Sequence, residues 1–133
     1  MTKKTEMSAG EALVMKAIWD ENAKNEGKKN ISLMELMDIL REQYDKDYAR
    51  TTVVTFLLRL SDKGYLETYR KGKLSYVHIL KTEDEYKKEI ADITAKFWFR
   101  GNVTDFLAAL HETGNLTGES LKKAREYLDE LDQ

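Results

Sequence analysis

Cysteine and proline are both absent from this 133-residue chain, and each absence removes a class of answer. Without cysteine there can be no disulfide framework, no thiolate metal site and no cysteine nucleophile. Without proline, helix ends must be read from capping residues and glycines. No run approaches the roughly 18–20 apolar residues that a membrane span needs, so no membrane insertion is expected. The opening Met1-Thr2-Lys3-Lys4-Thr5-Glu6 carries two lysines and no hydrophobic stretch follows before Leu13. No secretory signal is therefore expected, and a cytoplasmic location follows as the default. Histidine is scarce: His78 and His111 stand apart, and two isolated histidines without cysteine make no metal site. A Gly-rich phosphate loop and a Ser-His-Asp constellation are missing as well. The many carboxylates read as solvated helix faces, so neither catalysis nor a cofactor is expected.

What is present is charge and a modest apolar fraction. Apolar residues make up 41% of the chain and charged residues 35%, enough for one ordinary domain or a small domain with a helical arm. The net charge of −2 is an average over unlike parts. Residues 1–80 hold 14 Lys and Arg against 12 Asp and Glu, and residues 81–133 hold 8 against 12. Within 48–81 the balance is 7 cations (Arg50, Arg59, Lys63, Arg70, Lys71, Lys73, Lys81) against 2 acids (Asp62, Glu67). A ligand feels that local excess, because salt screens charges beyond about 10 Å.

Three capping boxes set the frame. Ser8-Ala9-Gly10-Glu11 opens a first helix, whose Leu13, Val14, Ala17 and Ile18 follow helical spacing. Trp19 on it reads as a packing residue. A polar loop from Glu21 to Asn30 follows. Ser32-Leu33-Met34-Glu35 opens a second helix with Leu33, Leu36, Met37 and Leu40 at i, i+3, i+4 and i+7. A third helix runs from about Tyr48 or Ala49 to Lys63, striped by Val53, Phe56, Leu57 and Leu60, with Gly64 where a C-terminal cap belongs. The period then changes. Tyr65–Arg70 and Leu74–Leu80 are rich in β-formers and flank the turn Lys71-Gly72-Lys73, which predicts a hairpin. Helix, helix, helix, hairpin is the order of a winged helix-turn-helix domain, here residues 1–81.

Thr82-Glu83-Asp84-Glu85, the third box, starts a polar helix that runs to about Phe99. Two more are expected, from about Thr104 to Glu112 and from about Gly118 to Asp132. Residues 82–133 thus form a helical segment, and the whole is mostly α with a small β-hairpin. Its apolar residues, Phe97, Trp98, Phe99, Phe106, Leu107, Leu110, Leu121, Leu128 and Leu131, are too many for a solvated arm. Leaving Phe-Trp-Phe in water forgoes much apolar burial. Two copies burying these faces together is the better account, so a homodimer is expected, which also supplies two DNA half-sites.

On the third helix, 100° per residue places Thr51, Thr55 and Asp62 opposite the apolar stripe and Arg50, Thr52 and Arg59 on its flanks. Small hydroxyls can approach phosphates and base edges, and arginine adds charge and bidentate donors. The hairpin tip, Arg70-Lys71-Gly72-Lys73, suits a phosphate backbone, where each cation displaces a counterion. Double-stranded operator DNA is the expected partner. Leu58 also points outward on this face, a placement better suited to packing against another helix.

These residues carry a resemblance. Glu11-x-x-Val14-Met15-x-x-Ile18-Trp19, together with Tyr48-x-x-Thr51-Thr52-Val53-x-Thr55-x-Leu57-x-Arg59-Leu60-x-x-Lys63-Gly64-Tyr65-Leu66, resembles the penicillinase-repressor family of the BlaI and MecI type, with its copper-responsive CopY relatives. The hairpin Arg70-Lys71-Gly72-Lys73-Leu74-Ser75-Tyr76 and the junction Phe99-Arg100-Gly101-Asn102 are similar too. The resemblance implies a dimeric repressor of palindromic operators of the TACA/TGTA kind, upstream of β-lactamase, transpeptidase or sensor genes. It implies induction by proteolysis in the C-terminal segment, triggered by a membrane-bound sensor protease. By position, Thr51, Thr52 and Thr55 would face the groove, and Arg59, Lys71 and Lys73 the backbone. Val54 and Thr51 stand where staphylococcal repressors carry basic residues, which points to a different operator preference. Their cleaved Asn-Phe bond has no clear counterpart near Lys96-Phe97. The lack of cysteine argues against copper sensing.

Two other readings remain open at this level. One is a winged-helix regulator that senses a small molecule in a pocket lined by Phe97, Trp98 and Phe99. The other is a protein-interaction module without DNA binding.

Overall fold

The computed structural model describes residues 6–27 and 29–133. In chain order the elements are α1 (Ala9–Lys24), β1 (Ile31–Ser32), α2 (Leu33–Tyr44), α3 (Arg50–Asp62), β2 (Leu66–Lys71), β3 (Leu74–Ile79), α4 (Glu83–Ile93), α5 (Val103–Glu112) and α6 (Gly118–Leu131). This is a winged helix followed by further helices, as the patterning predicts. The sheet has one strand more than the hairpin. Ile31 pairs with Val77 and Ser32 with Tyr76, both antiparallel, so the strand order is β1-β3-β2. Two residues have no period to detect, and Ser32 serves at once as the end of β1 and the N-cap of α2.

The three capping boxes form as sequence predicts. Ser8 Oγ accepts from Glu11 N while Glu11 accepts from Ser8 N. The Ser32–Glu35 and Thr82–Glu85 pairs repeat this exchange. Gly64 closes α3 at φ +86, a left-handed conformation that costs glycine nothing. Tyr65 N then donates to Leu60 O at 3.0 Å, the bond of a Schellman cap. In the hairpin, Gly72 takes φ +65 at the first central position, as a type II′ turn requires.

The core gathers one stripe from each helix. Val14, Met15 and Ile18 of α1, Leu36 and Leu40 of α2, and Val53 and Leu60 of α3 are at most 2% exposed. Leu66 and Val77 close it from the sheet. Phe56, expected on the same stripe, is only half-buried because its ring lies over the start of α1 instead. A Cβ built on Gly10 would stand 2.6 Å from the tip of that ring, and Tyr48 holds the ring edge-on from another side at 5.5 Å. Gly10→Ala is therefore expected to lower the melting temperature. Crowding of this kind costs roughly 1–3 kcal/mol, against about 1 kcal/mol gained from better helix propensity. A raised melting temperature would show that the ring moves freely.

The chain divides into two compact units between Tyr86 and Lys87, five residues beyond the boundary read from sequence. The first turn of α4 explains the difference, since it packs on the head. Tyr86 lies 5.4 Å from the Trp19 ring and 5.7 Å from that of Tyr65. Glu83 pairs with Lys16, and Trp19 Nε1 donates to Lys81 O at 2.9 Å.

In the second unit, the long helix expected up to Phe99 does not stay α-helical. After Ile93 it widens into a π-helical turn, Thr94–Trp98, with Phe99 N donating to Thr94 O. Arg100 and Gly101 follow at φ +51 and +79 and end it. Phe99 stacks on Phe106 at 4.9 Å, yet no residue of 87–133 is buried. Among the described residues no helix is long and apolar enough to cross a membrane.

Candidate nucleic-acid interface

The outer face of α3 is exposed at Arg50, Thr51, Thr55 and Arg59, while Thr52 is half-buried. The start of α3 differs from the other helix starts of the head. Its N-cap is Ala49, no side chain caps it, and its first turn carries no acid. The amides of Arg50 and Thr51 thus have no acceptor among the described residues, and with the positive end of the helix dipole they face outward. Thr55 Oγ1 donates to Thr51 O at 2.9 Å. Its proton is committed to the helix, so outward it offers lone pairs and a methyl group.

The hairpin supplies the second half of the surface. Arg70 donates to Lys73 O at 3.3 Å across the turn and so braces it, while Lys71 and Lys73 stand at the exposed tip. The seven cations of 48–81 do not all face outward. Lys63 turns inward to Glu11 and to Glu6 O, and Lys81 lies over the Tyr65 ring at 4.9 Å. Arg50, Arg59, Lys71 and Lys73 have no ion-pair partner among the described residues. Of these seven, the outward-facing charge therefore lies on α3 and the wing.

Sequence reasoning missed the support of the wing. Tyr69 and Tyr76 are paired across β2 and β3 and stack at 5.5 Å with a 17° tilt. Asn30 Nδ2 donates to Tyr69 Oη at 3.0 Å, and His78 Nδ1 lies 3.3 Å from Asn30 Oδ1. The hairpin register alone would have brought the two tyrosines together. Sequence reasoning also missed the anchor between α1 and α3, the ion pair of Lys63 with Glu11. Burial pushes the Glu11 carboxyl up. The hydrogen bond and charge of Lys63, with the bonds to Ser8, more than reverse this and leave it below its ordinary value of 4.5.

In the second unit, Phe97 and Trp98 are 70% and 71% exposed and meet edge-on at 5.0 Å. Leu128 and Leu131 are exposed, whereas Phe99, Phe106, Leu107, Leu110 and Leu121 are half-buried. Ile90, Ile93, Val103 and Tyr127 add exposed apolar surface that the sequence reading did not single out. A depression beside Trp98 and Phe99 is shared with Arg100, Asn102 and Asp105. Among the described residues no group of His, Asp and Glu could hold a metal.

The family model described as penicillinase repressor matches residues 7–130. The chain belongs to the penicillinase repressor family. By that description it is a repressor. Among solved structures, the repressor is similar to the DNA-binding domain of the repressor BlaI, determined in solution. The two are 28% identical with a TM-score of 0.49, over 65% of this chain and 94% of that one. No curated protein matches the repressor.

Proposed function

We propose that the repressor binds palindromic operator DNA as a homodimer. The start of α3 enters the major groove, and Lys71 and Lys73 of the wing follow the phosphate backbone. The observation that carries this reading is the set of unpaired cations on α3 and the wing, arranged around an uncapped helix start. Thr51 and Thr55 then meet base edges, Arg50 and Arg59 flank them, and a phosphate oxygen caps the free amides. The apolar surface of residues 87–133 supplies the contact between copies. Regulation of β-lactam-resistance or related genes belongs to the same proposal. So does release by cleavage in the C-terminal segment, triggered through a membrane-bound sensor protease.

The test is fluorescence anisotropy with duplex DNA across a salt series. Affinity is expected to fall linearly on logarithmic axes, with a slope of about −0.9 per phosphate contact. Arg59→Ala and Lys71→Ala should each weaken binding to every sequence and flatten that slope by about 1 per lost contact. Thr51→Ala should mainly relax discrimination between specific and random DNA. Binding indifferent to salt would sink the reading, and equal effects of all three changes on both DNAs would overturn the division of roles.

A further inference from the structure

We propose that Leu58 is a specificity residue that docks on the C5 methyl group of a thymine in the major groove. The inference rests on the DNA-binding reading above and deepens it. Leu58 is 57% exposed in the middle of a surface built for a polar partner. At 100° per residue it projects between Val54 and Thr51, one turn beyond Val54 and two beyond Thr51, on the side of α3 opposite Val53 and Leu60. The head does not cover it. With Leu33, Val54, Leu57 and Val77 it lines an apolar recess of about 230 Å³, and Arg50 lines the same recess.

A leucine in that place meets phosphates, base edges or a methyl group when α3 enters the groove. Phosphates and base edges would lose water against it and gain no hydrogen bond. Thymine alone among the bases offers an apolar group in the major groove. The chemistry of the position therefore selects thymine, with Val54 and the Thr55 methyl beside the contact.

Substituting deoxyuracil for thymine deletes the methyl and nothing else, which makes the contact measurable. A duplex of about three helical turns is first selected from a randomised pool by the full-length chain. Thymines are then replaced by uracil one at a time. Removing a contacted methyl should weaken wild-type binding roughly fourfold, the equivalent of one buried methylene. Leu58→Ala should bind the thymine duplex more weakly by a similar factor and no longer distinguish uracil. Leu58→Met should retain the distinction. Leu58 is exposed, so both variants should melt with the wild type.

A thymine-to-uracil ratio near one at every position of the wild-type complex would overturn the proposal. So would a ratio that survives in Leu58→Ala, or a change of oligomeric state in Leu58→Ala with the ratio intact. The last result would mean that Leu58 packs against another helix. Salt-sensitive binding without a methyl effect removes only this assignment. No binding to any duplex would overturn the DNA-binding reading itself.

Discussion

Lys63→Met is expected to destabilise the head by roughly 3 kcal/mol at neutral pH, the low end of what breaking a buried ion pair costs. Glu11 is 2% exposed, so without the lysine its charge stays buried with only Ser8 beside it. Glu11→Gln should cost less, about 1–2 kcal/mol, because glutamine can keep the capping box and accept from Lys63. The pH dependence separates the charge effect from mere packing. In the wild type the Glu11 carboxyl lies below its ordinary value of 4.5. The pair therefore contributes fully above that value, and its contribution is lost as pH falls through the lowered folded-state value. In Lys63→Met the lysine contributions vanish and burial is opposed by the Ser8 bonds alone, so the carboxyl rises from its wild-type value. The stability difference between the two proteins should then shrink as pH falls through the wild type's lowered folded-state value. Urea unfolding of both proteins across the acid range checks this. Parallel curves would show that the ion pair contributes little.

The other large effect is expected at Trp98. With Phe97 it forms the most exposed aromatic pair of the second unit, and a residue of this kind is the usual anchor of an interface. In a two-fold dimer each substitution is made twice. If burial of each indole contributes about 2 kcal/mol, Trp98→Glu should weaken self-association about a thousandfold. Analytical ultracentrifugation in the micromolar range should then show monomer, with the melting of the head unchanged. Operator affinity should fall as well, since one reading head makes half the phosphate contacts. Phe106 is a less clean choice. It stacks on Phe99 within its own chain, so changing it mixes folding with association. A dimer undisturbed by Trp98→Glu would place the interface elsewhere.

Which features could be read in advance follows from how far apart their causes lie in the chain. Capping boxes and i, i+3, i+4 stripes are local, so α1, α2, α3 and the start of α4 were legible in Ser8, Ser32, Thr82 and the leucines. The hairpin announced itself through Gly72 and the β-formers on either side. β1 could not be seen, because Ile31 and Ser32 become a strand only when β3 arrives beside them. The Glu11–Lys63 pair spans 52 positions and leaves no local pattern. For the same reason the charge count of 48–81 overstated the outward-facing charge. It records that Lys63 and Lys81 are cations and not that they turn inward. The attachment of Tyr86 to Trp19 and Tyr65 is also long-range, and it moves the domain boundary past the end of the β3 pattern. The outward placement of Arg50, Thr51 and Arg59 was legible because an amphipathic helix fixes its outer face as firmly as its inner one, and that of Lys71 and Lys73 because they flank a hairpin turn.

The bare start of α3 gives the proposed complex a particular thermodynamic character. A helix begun by serine or threonine has a side chain on one of its first free amides, whereas this one is begun by Ala49 and has none. In the complex a phosphate oxygen would finish it, so local ordering and recognition become one event. The first turn would then be the least settled part of the free reading head and one of the most settled on DNA. Affinity would be kept below what the same contacts give a fully preformed helix. In the proposed function, release from an operator would be served by such a loosely finished tip.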